Sequence, residues 1–564
     1  MVAIKAKTDS IQLPAHETDP DLLLGAWHVS VNAILDIEAP VKAMPRRKHT
    51  IPWMNDGVRE LQKSRDRIAK NLRKIPTPAE TDFEELKAAK RRVKSHIRRA
   101  AKEYGRGLLS AKDPKAAWKF IRQTTFTDTG SGDNMLPIDA ANNYFADIVQ
   151  DPKGAELVAI EQCDRADAFV IQPVTVKEVE HYLSITKSST AAGFDDITDF
   201  LIRLLAHEMA PNITAIFNCS IEVGAFPAQW KCANVKAVWK GKGSKQDPAN
   251  YRPTILPILG RLFEKIVAHQ LYDFVELNNA ITIDQYGFRR KSSCETALIS
   301  ATNYWMEEID KGNIVGALLV DMSKAFDSVP HDLLMRELES IGCGNAALQW
   351  FQSFLTGRKQ RVVNTPEVTP WKDVTRGVPQ GSCLSPLLFN IFVRQLPIEN
   401  PCRTHQFADD VTHSMAARTV QEVVDGLSTS FEYTKAFCDT HGLTINADKT
   451  QLILLHAPGK KIEENIVLSV GGVSLKPVKS VKLLGVVIDS GLTFSPHIDA
   501  VITKCQGLLG ALAKSAPFLP TELLRQGSHF LESQGRSGKV REFESNWKVR
   551  EFQFCKFHFF YLLY

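Results

Sequence analysis

The chain has 564 residues, too long for one core, so two to four domains are expected. Its 44% hydrophobic and 24% charged residues are those of an ordinary soluble globular protein, and a net charge of +5 is too mild to argue for nucleic acid by its sum alone. Ten scattered cysteines without Cys-x-x-Cys or zinc spacing argue against a disulfide scaffold or zinc site, and no secretory leader or bilayer-length apolar run is present.

Residues 1–50 lack periodicity, and Pro45-Arg46-Arg47-Lys48-His49 reads as a solvated loop or a nuclear address. From Gly57 to about Gly107 the pattern predicts two helices broken at Pro76-Thr77-Pro78. The second carries Arg91, Arg92, Lys94, Arg98, Arg99 and Lys102, either a solvated face or a surface that tracks phosphates by charge. Gly130-Ser131-Gly132 reads as a linker. From Pro173 the chain predicts helix, turn and helix, then a strand over Val235–Trp239 and a basic hairpin tip, Lys240-Gly241-Lys242-Gly243, with Arg252 just beyond. A basic finger of this kind can neutralise charge developing on a triphosphate.

A loop, DQYGFRRKSSC, then feeds a helix, and Gly316–Val320 reads as a buried strand ended by Asp321. Pro330 fits the first turn of a helix through Leu333, Leu334, Leu338 and Ile341, stopped at Gly342. A helix ending at Gly357 precedes a basic strand. In RGVPQGSCLSPLLFN, Gly377 and Gly381 flank a Pro-Gln turn, with Ser385 as helix cap and Pro386 at the first position. RTHQFADDVTHSM reads as strand, tight turn, strand. A helix over Leu427–His441, a strand over Gln451–Leu455, a strand and turn about Gly485 and a helix from about Pro496 complete the ordered pattern. Near the end Lys539-Val540-Arg541-Glu542-Phe543 recurs as Lys548-Val549-Arg550-Glu551-Phe552, too few copies for a repeat architecture.

Asp409 and Asp410 lie side by side at the hairpin tip. Like charges about 4 Å apart repel by roughly 4 kcal/mol at an effective dielectric near 20. Such a pair stays ionised only beside a cation. If the strand ending in Asp321 neighbours the hairpin, three carboxylates converge. That oxygen set suits Mg²⁺ completed by substrate phosphates, and a pair of such ions suits nucleotidyl transfer.

The blocks YRP, QYGFR, DMSKAFD, RGVPQGSCLSPLLFN, FADD, GLTINADKT and LLGVVID stand in an order that resembles the reverse transcriptase of non-LTR, jockey-type retrotransposons. The resemblance covers roughly Pro173 to Leu524, and the basic helices are similar to the linker that precedes the polymerase in such elements. It implies an α+β right-hand polymerase. The expected divisions are a basic helical N-terminal region (1–160), fingers (161–310), palm (311–490), partial thumb (491–525) and an atypical tail (526–564), with the reverse transcriptase domain at about 220–490. It also implies that Asp321, Asp409 and Asp410 bind two Mg²⁺, or Mn²⁺ in their place, with the Met322 carbonyl helping. Phe326 would exclude a ribose 2′-hydroxyl, Gln380 and Gly381 would lie along the nascent base pair, Lys240 and Arg252 would contact the triphosphate, and Lys449 would protonate pyrophosphate. The partners implied are an RNA template, a DNA primer or target and dNTPs, with no membrane, in nucleus and cytoplasm. The lack of an endonuclease segment or zinc knuckle and the unfamiliar end lead us to expect a fragment or decayed copy. The alternative is a catalytically silent nucleic-acid-binding remnant.

Overall fold

Two sheets organise the larger part of the chain. The computed structural model describes residues 2–40, 51–76, 78–110, 136–146, 167–186, 193, 195, 197–241, 243–255, 259–364, 367–457, 459–460, 462, 466–470 and 473–515. The first sheet contains Cys232–Trp239 (β1), Tyr251–Ile255 (β2), Arg358–Asn364 (β4), Glu367–Val368 (β5) and Lys372–Val374 (β6). The second contains Ile314–Ser323 (β3), Arg403–Phe407 (β7), Asp410–Ala417 (β8), Thr444–Ile445 (β9) and Gln451–Leu455 (β10). Its order is β10-β3-β8-β7, all antiparallel, with β9 pairing the far end of β3. Helices and sheets thus form the expected α+β architecture.

β3 is central, and its apolar run is covered on both faces, which is why it reads as continuous rather than alternating. Ile314, Leu318, Val320 and Met322 join the main core, while Val315 and Ala317 pack with Ala301 and Trp305 of the helix Cys294–Asp310. The helix Val420–Thr440 lies so close to β3 that a Cβ on Gly316 would stand 2.4 Å from Val423 Cγ1 and 2.7 Å from Leu427 Cδ1. Glycine at 316 is therefore what lets that helix seat. Trp305 reaches through its face to donate its Nε1–H to Ser414 Oγ on β8 (2.9 Å).

Several boundaries differ from expectation. β3 runs two residues past Asp321, because Met322 and Ser323 find β9 as a partner. The helix expected from Leu427 begins at Val420, where Thr419 and Glu422 form a reciprocal capping box. Ser385 lies inside its helix, Ser385–Phe392, and its hydroxyl donates to the Pro379 carbonyl; Ser382 Oγ accepts from the N–H groups of Leu384 and Ser385 instead. Gly357, at φ +67°, turns the chain so that β4 runs parallel to β1, pairing Cys232–Val235 with Lys359–Val362. A segment assigned to the palm thus completes the sheet assigned to the fingers. The helix Ile138–Ala146 packs Ala141 and Phe145 on that sheet against Ala233, Val235 and Val362.

The chain divides into two compact units, Met1–Ala43 with Gly132–Ala500, and Met44–Ser131 with Val501–Tyr564. The stretch 1–160 is therefore shared between units rather than forming one region. In the second unit the helices Asp56–Leu72 and Glu80–Ser110 pair, and the Trp53 and Tyr104 rings lie 6.0 Å apart. The basic run at Pro45–His49, the stretch 516–564 and its duplicated pentapeptide lie outside the described residues. Among the described residues no helix is long and apolar enough to cross a membrane.

Candidate active site

Arg403–Phe407 and Asp410–Ala417 close on a two-residue turn, with Phe407 paired to Asp410 and Ala408 and Asp409 at the tip. Ala408 sits at φ +58°, the positive first position that hairpin turns of this length require. On its other side β8 pairs with β3, and there Asp410 is the direct partner of Asp321. Opposed residues of an antiparallel pair hold their Cβ atoms roughly 4.5–5.5 Å apart, and like charges in that position are destabilising. The sheet thus brings Asp321, Asp409 and Asp410, distant in sequence, to one end.

The electrostatics follow. Packing around the Asp410 carboxyl pushes it up to about 6, although its side chain reaches the surface, and the charges of Asp409 and Asp321 push the same way. Asp409 is raised as well, first by burial and then by Asp321, against the pull of Lys449. Lys449 supplies the local cation: its Nζ donates to Asp321 Oδ2 at 3.2 Å. The loop that carries it is tied to the same strand, since Asn446 N–H donates to the Asp321 carbonyl (2.8 Å) and Lys449 N–H to the Asn446 carbonyl (3.2 Å). Met322, next along β3, is buried and paired to Ile445.

Among the described residues no three His, Cys, Asp or Glu side chains close into a ready-made ion cage. The donor set nonetheless fits a hard divalent cation. Mg²⁺ is usually held by one or two carboxylates with substrate phosphates completing its shell, and carboxyls raised by burial and by one another's charge are those that a cation relieves.

Two further blocks border the trio. The Pro-Gln turn lies backbone to backbone on the DMSKAFD block: Val378 N–H donates to the Phe326 carbonyl and Gly377 N–H to the Val329 carbonyl, both at 2.8 Å. Gly377, at φ +81°, leaves no room for a Cβ, which would lie 2.7 Å from Asp327 Cα. Gln380 Nε2 donates to both carboxylate oxygens of Asp327 at 2.7 Å. Gly381, at φ +100°, completes the turn. Burial pushes Asp327 up to about 6 even though Gln380, Lys324 and Lys240 all favour its charge. Behind the turn, the buried Glu264 accepts from the Cys383 N–H (3.1 Å), and its carboxyl is raised by burial against the pull of Arg358. The Phe326 ring stacks on Phe389 at 4.3 Å and meets the edge of Phe288 at 6.3 Å.

The two basic residues expected to hold a triphosphate belong to the other sheet's hairpin, Lys240 just past the end of β1 and Arg252 within β2. Lys240 Nζ donates to the Ala249 carbonyl (2.7 Å) and acts on Asp327 through its charge. Arg252 is exposed on β2, opposite Val238, without a bond to the carboxylate trio. Sequence reasoning passed over Asp327, although it closes the same DMSKAFD block, and over Gln285, whose Oε1 accepts from the Ala408 N–H of the turn.

Fold and site are those of a reverse transcriptase domain, and comparison with known proteins agrees for the part of the chain that holds them. Residues 242–488 match the family described as reverse transcriptase (RNA-dependent DNA polymerase). The RNA-directed DNA polymerase from mobile element jockey of Drosophila funebris is 29% identical over 363 residues, covering 62% of this chain and 39% of that protein. Its counterpart from Drosophila melanogaster is 28% identical, covering 59% and 37%. The retrovirus-related Pol polyprotein from type-1 retrotransposable element R1 of Bradysia coprophila is 25% identical, covering 60% and 33%. The matched part thus spans less than two fifths of the length of each relative. Among solved structures, apo telomerase from Candida tropicalis aligns with a TM-score of 0.33 and 12% identity, over 47% of this chain and 48% of that one. Residues 242–488 thus carry a reverse transcriptase domain, and the chain is similar over about three fifths of its length to polymerases of jockey and R1 elements.

Proposed function

We propose that this chain is an RNA-directed DNA polymerase, extending a DNA 3′-hydroxyl on an RNA template by nucleotidyl transfer assisted by two divalent cations. The observation that carries the reading is the pairing of Asp321 with Asp410 across β3 and β8, with Asp409 in the adjoining turn. In the reaction the primer 3′-oxygen bonds to the α-phosphorus of a dNTP, the bond to the β-phosphate oxygen breaks, and pyrophosphate leaves. Mg²⁺, or Mn²⁺ in its place, would when bound activate the 3′-hydroxyl and neutralise the triphosphate. Asp321, Asp409, Asp410 and the Met322 carbonyl are the groups to hold it.

The remaining roles belong to the protein. Lys449, an ammonium already beside Asp321, donates a proton to the departing pyrophosphate. Lys240 and Arg252 bind the triphosphate charge. Phe326, backed by Phe389, leaves no space for a ribose 2′-hydroxyl, so DNA is made. Gln380, its amide NH₂ committed to Asp327, turns its oxygen and the Gly381 backbone to the nascent pair.

Primer extension on an RNA template tests the reading. Mg²⁺-dependent dNTP incorporation is expected, and Asp409→Ala should lower it at least about 10²-fold while template–primer binding persists. Equal incorporation by the variant would end the proposal. Salt-sensitive RNA binding by a wild-type protein that incorporates nothing would favour a silent nucleic-acid-binding protein.

A further inference from the structure

The QYG segment takes no part in the chemistry above, yet it is built against the catalytic turn. Gln285 and Gln406 form a lone parallel bridge in which Gln406 N–H donates to the Asp284 carbonyl (2.9 Å) and Tyr286 N–H to the Gln406 carbonyl (2.8 Å). The Gln285 side chain, 1% exposed, turns inward, and its Oε1 accepts from two backbone groups at once: Gly287 N–H (2.9 Å) and Ala408 N–H (3.0 Å). Gln406 Nε2 donates to the Ala408 carbonyl (2.9 Å). Both polar backbone groups of Ala408 are thus held by glutamine side chains. The contact is close as well: a Cβ on Gly287 would stand 2.4 Å from Ala408 N and 2.9 Å from Phe407 C.

The conformation being held is one that side-chain-bearing residues rarely adopt. Ala408 is buried at φ +58° where a glycine would be the unstrained choice. Strain of this sort persists only where the surroundings over-determine it. Asn390, from the helix after the Pro-Gln turn, extends the arrangement by donating its Nδ2 to the Gly287 carbonyl (2.7 Å). The opposite ends of the three amides, Gln285 Nε2, Gln406 Oε1 and Asn390 Oδ1, are buried without partners among the described residues. The turn and its supporting loop alone therefore orient all three.

We propose that Gln285 is a positioning residue for the reaction: through Ala408 it fixes the turn on which Asp409 stands against Asp321. The inference rests on the reading of Asp409 as a catalytic carboxylate. Without the Gln285 oxygen, two buried N–H groups lose their acceptor and Ala408 can relax out of the left-handed region. Asp409 follows, because it is the next residue in the same two-residue turn. The helix that follows the Pro-Gln turn and the turn at Ala408 both meet Gly287, so a change there reaches both.

Gln285→Met, of equal length but a poor acceptor, tests the proposal in the full chain. Manganese binding, followed by electron paramagnetic resonance without nucleotide, should weaken by about 10-fold, as is usual when a partner behind a ligand is lost. Incorporation on primed RNA should lose about 10²-fold in kcat, with the dNTP KM and template–primer affinity unchanged. Gln285→Asn, one methylene too short, should behave alike and serves if the methionine variant does not fold. In the wild type, the Ala408 amide should be protected from hydrogen exchange. Wild-type manganese affinity and kcat in a folded variant would overturn the proposal, as would an Ala408 amide exchanging like an open turn. A wild type that incorporates no nucleotide but whose manganese binding weakens in Gln285→Met refutes the polymerase reading and leaves the positioning role standing.

Discussion

Replacing Asp327 with asparagine should stabilise the catalytic unit and impair it at once. Burial lifts this carboxyl from 3.8 to about 6, although Gln380, Lys324 and Lys240 favour its charge. A shift of about two units corresponds to about 3 kcal/mol. Because the side chain keeps some contact with solvent, about 1–3 kcal/mol is the working range. The sign follows from linkage. A carboxyl whose folded pKa lies above its unfolded value opposes folding when ionised. The cost is full above about pH 6, shrinks as pH falls through that value, and is gone below the unfolded pKa near 3.8. Asparagine has nearly the same shape and no charge, so it escapes the cost. Calorimetry near pH 7.5 should show the variant melting about 2–6 °C above the wild type. Near pH 4.5 the difference should shrink, since the wild-type carboxyl is then largely neutral too. Function should move the other way. Gln380 now donates to both Asp327 oxygens, and asparagine offers one, so the amide loses its fixed orientation and the dNTP KM should rise about 10-fold. A variant less stable than wild type near pH 7.5, or a gain that does not change with pH, would refute the reasoning.

Two further outcomes are expected. Phe326→Ala removes the ring stacked on Phe389, and ribonucleotide incorporation should rise by about 10–10²-fold relative to deoxyribonucleotide; an unchanged ratio in single-nucleotide extension would show that the ring does not sense the sugar. Arg91, Lys94 and Arg98 are exposed along the helix Glu80–Ser110 without an ion pair among the described residues, and changing all three to alanine should flatten the slope of log affinity for single-stranded RNA against log salt by about 2, whereas an unaltered slope in filter binding would mark them as a solvated face.

What could be read from sequence was what is written locally. The apolar run before Asp321, the hairpin around Asp409 and Asp410, and the proline-broken basic helices each carry their signal within about a dozen residues, and each was found in place. Their convergence was conditional on two strands being neighbours, which the β3–β8 register supplies. Other features depend on partners that no local pattern names. Gln285 acts on a residue 123 positions away, and Asp327 on one 53 positions away. The parallel pairing of β1 with β4 joins segments of separate motifs, which motif order along the chain does not reveal. Ser385 does not cap its helix: the cap position falls to Leu384, and Ser382 Oγ accepts from the Leu384 and Ser385 N–H groups, a choice that only the backbone path decides.

The hairpin that carries Asp409 and Asp410 is held at both ends by different means. At its base, His413 of β8 is enclosed between Thr404 Oγ1 on Nδ1 (3.0 Å) and Thr434 Oγ1 on Nε2 (2.8 Å). Asn400 and Ser430 extend the network, with Asn400 Nδ2 donating to Thr434 Oγ1 (3.2 Å) and Ser430 Oγ donating to Asn400 Oδ1 (2.6 Å). Burial drives His413 down to about 3, so the ring stays neutral at physiological pH, with one nitrogen donating and the other accepting. A satisfied network of that kind rigidifies what it joins. The tip, by contrast, crowds raised carboxyls into a turn with a strained alanine, an arrangement that works against its own stability. A site that must keep charges close cannot obtain rigidity from the charges themselves; here it comes from neutral amides, a neutral imidazole and the glycine at 287, which admits the supporting backbone to the turn.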